Sequence, residues 1–120
     1  MARVIHFEIP TKDPRKAAAF YKKVFGWKVT QWGKQQYWMV KTGDEKTPGI
    51  DGGIMLKKDL RATVNTVGVD SVDKAIKKVI AAGGKVVRPK IALPTMGWIA
   101  YCVDGDGNAF GLIEMDNSAQ

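Results

Sequence analysis

The chain is poor in the residues that staple or metallate small proteins: among 120 residues there is one cysteine, Cys102, and one histidine, His6. A lone thiol closes no intrachain disulfide and builds no Cys-rich zinc site, which excludes the disulfide-scaffold class of secreted domains and makes a reducing cytoplasm the expected compartment. Long apolar runs are missing as well. No segment approaches the ~18 apolar residues of a spanning helix, and the opening Met-Ala-Arg-Val-Ile-His-Phe-Glu lacks the apolar stretch of a signal peptide, so no membrane partner is expected. Acidic residues are the scarcer charge, 12 against 19 basic, for a net +7. The excess is dispersed over presumed helix surfaces (Arg15, Lys16, Lys22, Lys23; Lys74, Lys77, Lys78) and a loop (Lys57, Lys58, Arg61), with no recognisable nucleic-acid motif. A solvated basic surface is expected rather than a nucleic-acid interface. What the chain does have is 45% apolar residues, enough for one domain spanning residues 1–120 with a core of its own.

An internal repeat organises that domain. Offset by 57 residues, Asp13 falls on Asp70, Ala18 on Ala75, Gly26 on Gly83, Lys28 on Lys85 and Val29 on Val86. In the first half, Val4 to Ile9 alternates as a strand, and Asp13-Pro14 supplies a capping side chain and a ring suited to the first helical position. Ala17, Phe20, Tyr21 and Val24 recur at helical spacing as a presumed buried stripe, and Gly26 can cap the helix in a left-handed conformation. Trp27 to Thr30, Tyr37 to Lys41 and Gly52 to Leu56 then read as strands. The second half repeats the order: a strand from Thr63 to Val69, a cap at Asp70 or Ser71, a helix with the stripe Ala75, Ile76, Val79, Ile80 ended by Gly83-Gly84, and strands at Lys85 to Arg88, Trp98 to Val103 and Ala109 to Glu114. The fold class is α+β, two βαβββ repeats at residues 1–57 and 62–115 joined by the linker Lys57 to Ala62. Each repeat has a helix on one sheet face and leaves the other bare. Pairing the bare faces would make a cup-shaped mixed sheet around a ligand-sized space.

These paired units, with His6-Phe7-Glu8-Ile9-Pro10, Ala19-Phe20-Tyr21, Phe25-Gly26-Trp27, Gly83-Gly84-Lys85-Val86-Val87, Gly97-Trp98-Ile99-Ala100-Tyr101 and Asp104-Gly105-Asp106-Gly107-Asn108, resemble the vicinal oxygen chelate superfamily, the group of glyoxalase I, bleomycin-resistance proteins and extradiol dioxygenases. The resemblance covers nearly the whole chain and implies a homodimer. It also implies a divalent metal held by four side chains from the first and last strand of each unit, acting as a Lewis acid. In this chain those four positions fall on His6, Gly53, Val64 (or Thr63 if the register slips) and Gly111. Glycine and valine donate nothing, so no divalent metal and no other cofactor is expected. Asp51 shares the face of Gly53 and could reach in, whereas Glu114 should point away from the face of Gly111.

Strand parity makes His6 and Glu8 face away from Phe7 and Ile9, which read as the helix-packing side. An imidazole there can bind a ligand or transfer a proton near neutral pH, or simply pair with Glu8 or a carbonyl. Glu8 is either a cavity carboxylate or a strand-edge group reaching water. Trp32, Tyr37, Trp38, Met39, Met55, Met96, Trp98 and Tyr101 form an aromatic and Met-rich set, from which Trp38 and Trp98 are expected to face the ligand. Thr66 occupies the place matching Glu8 and would add a hydroxyl. Cys102 reads as a core residue, and the Asp104 to Asn108 segment as a hairpin turn rather than a calcium loop.

The expected function is a metal-free binding protein that holds a small, partly aromatic molecule through His6, Glu8, Trp38, Thr66 and Trp98. The alternative is a glyoxalase-like lyase or isomerase with a rebuilt metal site, or with metal-free acid–base catalysis by His6 and Glu8. The residues alone leave open whether any reaction is catalysed.

Overall fold

The computed structural model describes residues 2–56 and 62–120; of the expected linker only Ala62 lies within them, and Lys57, Lys58 and Arg61 fall outside. The fold is mixed α+β. Its elements run β1 (Arg3–Thr11), α1 (Pro14–Phe25), β2 (Lys28–Gln31), β3 (Tyr37–Lys41), β4 (Asp51–Leu56), β5 (Val64–Gly68), α2 (Val72–Ala81), β6 (Lys85–Leu93), β7 (Gly97–Val103) and β8 (Ala109–Met115). The chain divides into two compact units, His6–Val64 and Asn65–Gln120, the latter together with the residues up to Ile5.

In the first unit the strand order is β2-β3-β4-β1. β1 and β4 run parallel, pairing His6 with Asp51 and Glu8 with Gly53, and β3 runs antiparallel to β4, pairing Trp38 with Ile54 and Met39 with Gly53. α1 begins where Asp13 accepts a hydrogen bond from the Lys16 N–H at 3.1 Å and Pro14 sets the first turn. It ends at Gly26, whose φ of +72° suits a residue without a Cβ. The helix lays Ala17, Ala18 and Tyr21 on Phe7, Ile9, Trp38, Val40 and Ile54. The expected stripe is therefore only half right. Ala17 and Tyr21 pack inward, but Phe20 and Val24 are 57% and 52% exposed, because the helix is rotated to seat its small alanines against the sheet.

The second unit repeats the plan, with order β5-β8-β7-β6. β5 pairs in parallel with β8, setting Thr66 opposite Gly111 just as Glu8 stands opposite Gly53. That settles the repeat's strand register: Val64 is the counterpart of His6 and is fully buried. Ser71, rather than Asp70, caps α2 by accepting from the Lys74 N–H at 3.2 Å. Glu114 points to the helix side as strand parity requires, where Oε1 accepts from the Val72 N–H at 3.0 Å. α2 packs through Val72, Ala75, Ile76 and Val79 against Ala100, Cys102 and Leu112, while Ile80, expected in that stripe, is 58% exposed. Cys102 is a core residue, and burial raises its thiol pKa. β6 continues to Leu93, five residues beyond its expected end, through two register shifts against β7. Between β7 and β8 the Asp104 carboxylate accepts from the Asp106 and Asn108 N–H groups, each at 2.9 Å, so its oxygens are spent inside a turn. No helix among the described residues is long and apolar enough to cross a membrane.

Candidate functional site

The polar centre of the first unit lies on the sheet face opposite α1. Phe7, Ile9, Trp38 and Ile54 point at the helix, so alternation turns His6, Glu8, Gly53, Tyr37 and Met39 the other way. Gly53 has no side chain, and the Tyr37 ring lies in that space: a Cβ added to Gly53 would stand 2.0 Å from Tyr37 Oη. From there the phenol reaches His6, with Oη 2.7 Å from Nε2 and the two rings nearly parallel at 11°. Trp32 stands edge-on to Tyr37, its ring centre 6.2 Å away. Tyr37 appeared in the aromatic set of the sequence but not among the site residues. Its signal was parity with Met39 against Trp38 and Val40, legible only once β3 and β4 are in register.

Burial lowers the His6 pKa below its ordinary 6.5; Glu8 and Asp51 pull it upward but are outweighed. At neutral pH the imidazole is uncharged and carries one N–H. If Nε2 holds that proton it donates to Oη. If Nδ1 holds it, Nε2 accepts from the phenol. Glu8 shares this face and is 3% exposed. Asp51 stands opposite His6 in the register, but its carboxylate accepts from the Thr42 N–H at 2.9 Å and from the Thr42 hydroxyl at 3.3 Å, which directs it along β3.

In the second unit Thr66 is fully buried beside Gly111, and its Oγ1 is the one buried side-chain polar atom among the described residues without a hydrogen-bond partner. A Cβ on Gly111 would lie 3.1 Å from that hydroxyl and 3.5 Å from the Tyr101 ring. The two tryptophans expected to face a ligand do not. Trp38 is a core residue under α1, with the Arg15 guanidinium 5.6 Å from its ring centre. Trp98 packs with the α2 core, donates from Nε1 to Asp116 at 3.1 Å and carries Lys90 Nζ 4.6 Å from its ring centre. Both corrections have one cause: a large apolar side chain next to a ligand-facing position falls on the helix side, where burial is greatest.

The metal implied by the resemblance would need donors where this chain has Gly53, Val64 and Gly111. The room beside Gly53 holds the Tyr37 phenol, Val64 is apolar, and among the described residues no three His, Cys, Asp or Glu side chains gather. These residues do not fit a divalent ion.

Residues 3–43 match the sequence family described as bleomycin resistance protein-like N-terminal. No curated protein sequence matches the chain. Among solved structures, a variant of methylmalonyl-CoA epimerase from Streptomyces coelicolor, in complex with 2-nitronate-propionyl-CoA, superimposes with a TM-score of 0.69 at 18% identity, covering 98% of this chain and 97% of that one. A hypothetical protein from Bacillus halodurans C-125 gives 0.68 at 12% identity, covering 99% and 98%. The chain thus has the vicinal oxygen chelate fold, and the resemblance read from its residues holds along its length by fold and over residues 3–43 by sequence.

Proposed function

We propose that this protein binds a small, partly aromatic molecule without a metal, through the neutral His6–Tyr37 pair with Glu8 beside it. The observation that carries this reading is the 2.7 Å hydrogen bond between His6 and Tyr37, whose phenol fills the space a ligand side chain at position 53 would otherwise take. An uncharged imidazole hydrogen-bonded to a phenol suits a neutral polar group on an otherwise flat ligand. Trp32, edge-on to Tyr37, makes the site its own reporter. Titration with a diverse set of metabolites, antibiotics and acyl-CoA thioesters should give saturable quenching by at least one compound. Tyr37→Phe should weaken that compound about tenfold, the weight of one hydrogen bond. An absence of saturable quenching across the set overturns the reading. The expected homodimer rests on the resemblance, and sedimentation velocity tests it. A cytoplasmic location is part of this reading, and a single cysteine suits a reducing compartment.

A second reading, acid–base catalysis, is favoured by one observation: a 3% exposed carboxylate, Glu8, on the same strand face as an uncharged imidazole. With a substrate in hand, Glu8→Gln and His6→Ala would each lower turnover by roughly 10²-fold or more. Unchanged turnover in His6→Ala, with substoichiometric metal in the purified protein, eliminates this version and the rebuilt-metal enzyme together.

A further inference from the structure

The outer face of α1 carries three large apolar side chains in the open: Phe20, Val24 and Phe25 are 57%, 52% and 60% exposed. They adjoin a set of stacked rings. Tyr21 lies against Trp27 with ring centres 5.0 Å apart, Phe25 stands 5.4 Å from Trp27, and Phe20 meets Tyr21 edge-on at 5.2 Å. A contiguous apolar patch of this kind on a small domain calls for a partner.

The internal repeat provides the control. Aligned on the helix caps Asp13 and Ser71, α2 has Lys78 for Phe20, Val79 for the inward-packed Tyr21 and Ala82 for Val24, and no aromatic residue where α1 runs on into Phe25 and Trp27. The same helix, on the same kind of sheet, forms without any of these side chains. The fold therefore does not require them on α1.

Charge identifies the occupant. From Pro14 to Val29 there is no acidic residue, while Arg15, Lys16, Lys22, Lys23 and Lys28 are all exposed. A symmetric pairing of this face with itself would set that basic rim against its own copy. The rings are also stacked into a fixed shape, which fits a matching protein surface better than fluid lipid.

We propose that the outer face of α1 is a docking surface for a different protein, one that presents an apolar ridge flanked by Asp and Glu. The proposal is independent of the His6–Tyr37 site. The probe is a synthetic 18-residue amphipathic helix with Leu on one face and Glu elsewhere, compared with a control in which every Glu is Lys. The full-length protein should bind the Glu peptide saturably, more weakly as salt rises, and at least tenfold more tightly than the Lys peptide. Phe20→Lys combined with Val24→Ala, the residues that α2 already uses, and with Phe25→Ala should reduce binding at least tenfold with the circular dichroism spectrum unchanged. Lys22→Glu with Lys23→Glu, both solvated positions, should do the same and keeps the test valid if the triple variant does not fold. Equal binding of the two peptides, or none, overturns the proposal. So does capture by phosphatidylserine-containing vesicles without binding of the Glu peptide, and so does a dimer in sedimentation velocity that the triple variant abolishes.

Discussion

At the scale of single residues, Gly53 is where the chemistry of the first unit is decided. The Tyr37 phenol reaches His6 only because Gly53 has no Cβ, and the obstructing atoms are the far end of a side chain that can swing. Gly53→Ala should therefore break the His6–Tyr37 hydrogen bond yet destabilise the fold by only ~1–2 kcal/mol. In the background of Tyr37→Ala the same substitution should cost much less. Urea unfolding of the two single variants and the double variant measures that coupling, and additive costs would contradict the geometry. His6 itself predicts a pH dependence. Its folded pKa lies below 6.5, with Glu8, Asp51 and Tyr37 as the facing groups. Below that pH the unfolded chain binds a proton the folded chain resists, so this contribution is complete above pH 6.5 and is lost as pH falls toward the lowered folded value. Thermal unfolding at pH 7.5 and 5.5 should show a drop for the wild type that shrinks in His6→Gln. Equal drops in the two proteins would assign the pH dependence to other groups.

Among the elements, glycines with backbone neighbours matter differently. A Cβ on Gly97 would stand 2.1 Å from the Glu114 carbonyl oxygen, and a paired strand cannot move aside as a tyrosine ring can. Gly97→Ala should cost ~2–4 kcal/mol, well above Gly53→Ala, in the same urea experiment. A smaller loss at Gly97 than at Gly53 would refute this ranking. The first helix start, the Gly26 cap and the turn at Asp104 were legible in the sequence, and the second start was narrowed to Asp70 or Ser71, because each depends on local conformational preference or on a side chain that bonds its own neighbours. The outward faces of the helices were not. Phe20, Val24 and Ile80 lie at helical spacing beside buried residues, and periodicity fixes a stripe's spacing but not how far the helix rotates on its sheet. Trp38 and Trp98 misled for a related reason: an aromatic's size suggests a ligand wall and a core equally well, and only the register against Ile54 and Glu114 decides. His6, Glu8 and Thr66 were read correctly as facing away from the helices, since strict alternation carries that information. Tyr37, whose role depends on a gap left by a glycine on the neighbouring strand, could not be read from one strand alone.

For the molecule as a whole, duplication explains both likeness and difference. The two units share cap, helix and strand order, and both set a glycine within the parallel pair, Gly53 opposite Glu8 and Gly111 opposite Thr66. They differ in what surrounds those glycines. The first gathers an imidazole, a phenol and a carboxylate, whereas the second buries a threonine hydroxyl beside an aromatic ring. The first unit alone also carries the apolar outer helix face. A scaffold that elsewhere accommodates ligands such as 2-nitronate-propionyl-CoA here supports a polar centre built from hydrogen bonds. The most direct test of that account is anomalous diffraction from crystals soaked in Zn²⁺, Ni²⁺ or Mn²⁺. The account predicts no peak beside His6, with Tyr37 Oη still about 2.7 Å from Nε2. A peak ~2.0–2.3 Å from the His6 ring nitrogen, with Tyr37 swung away from Gly53, would contradict it.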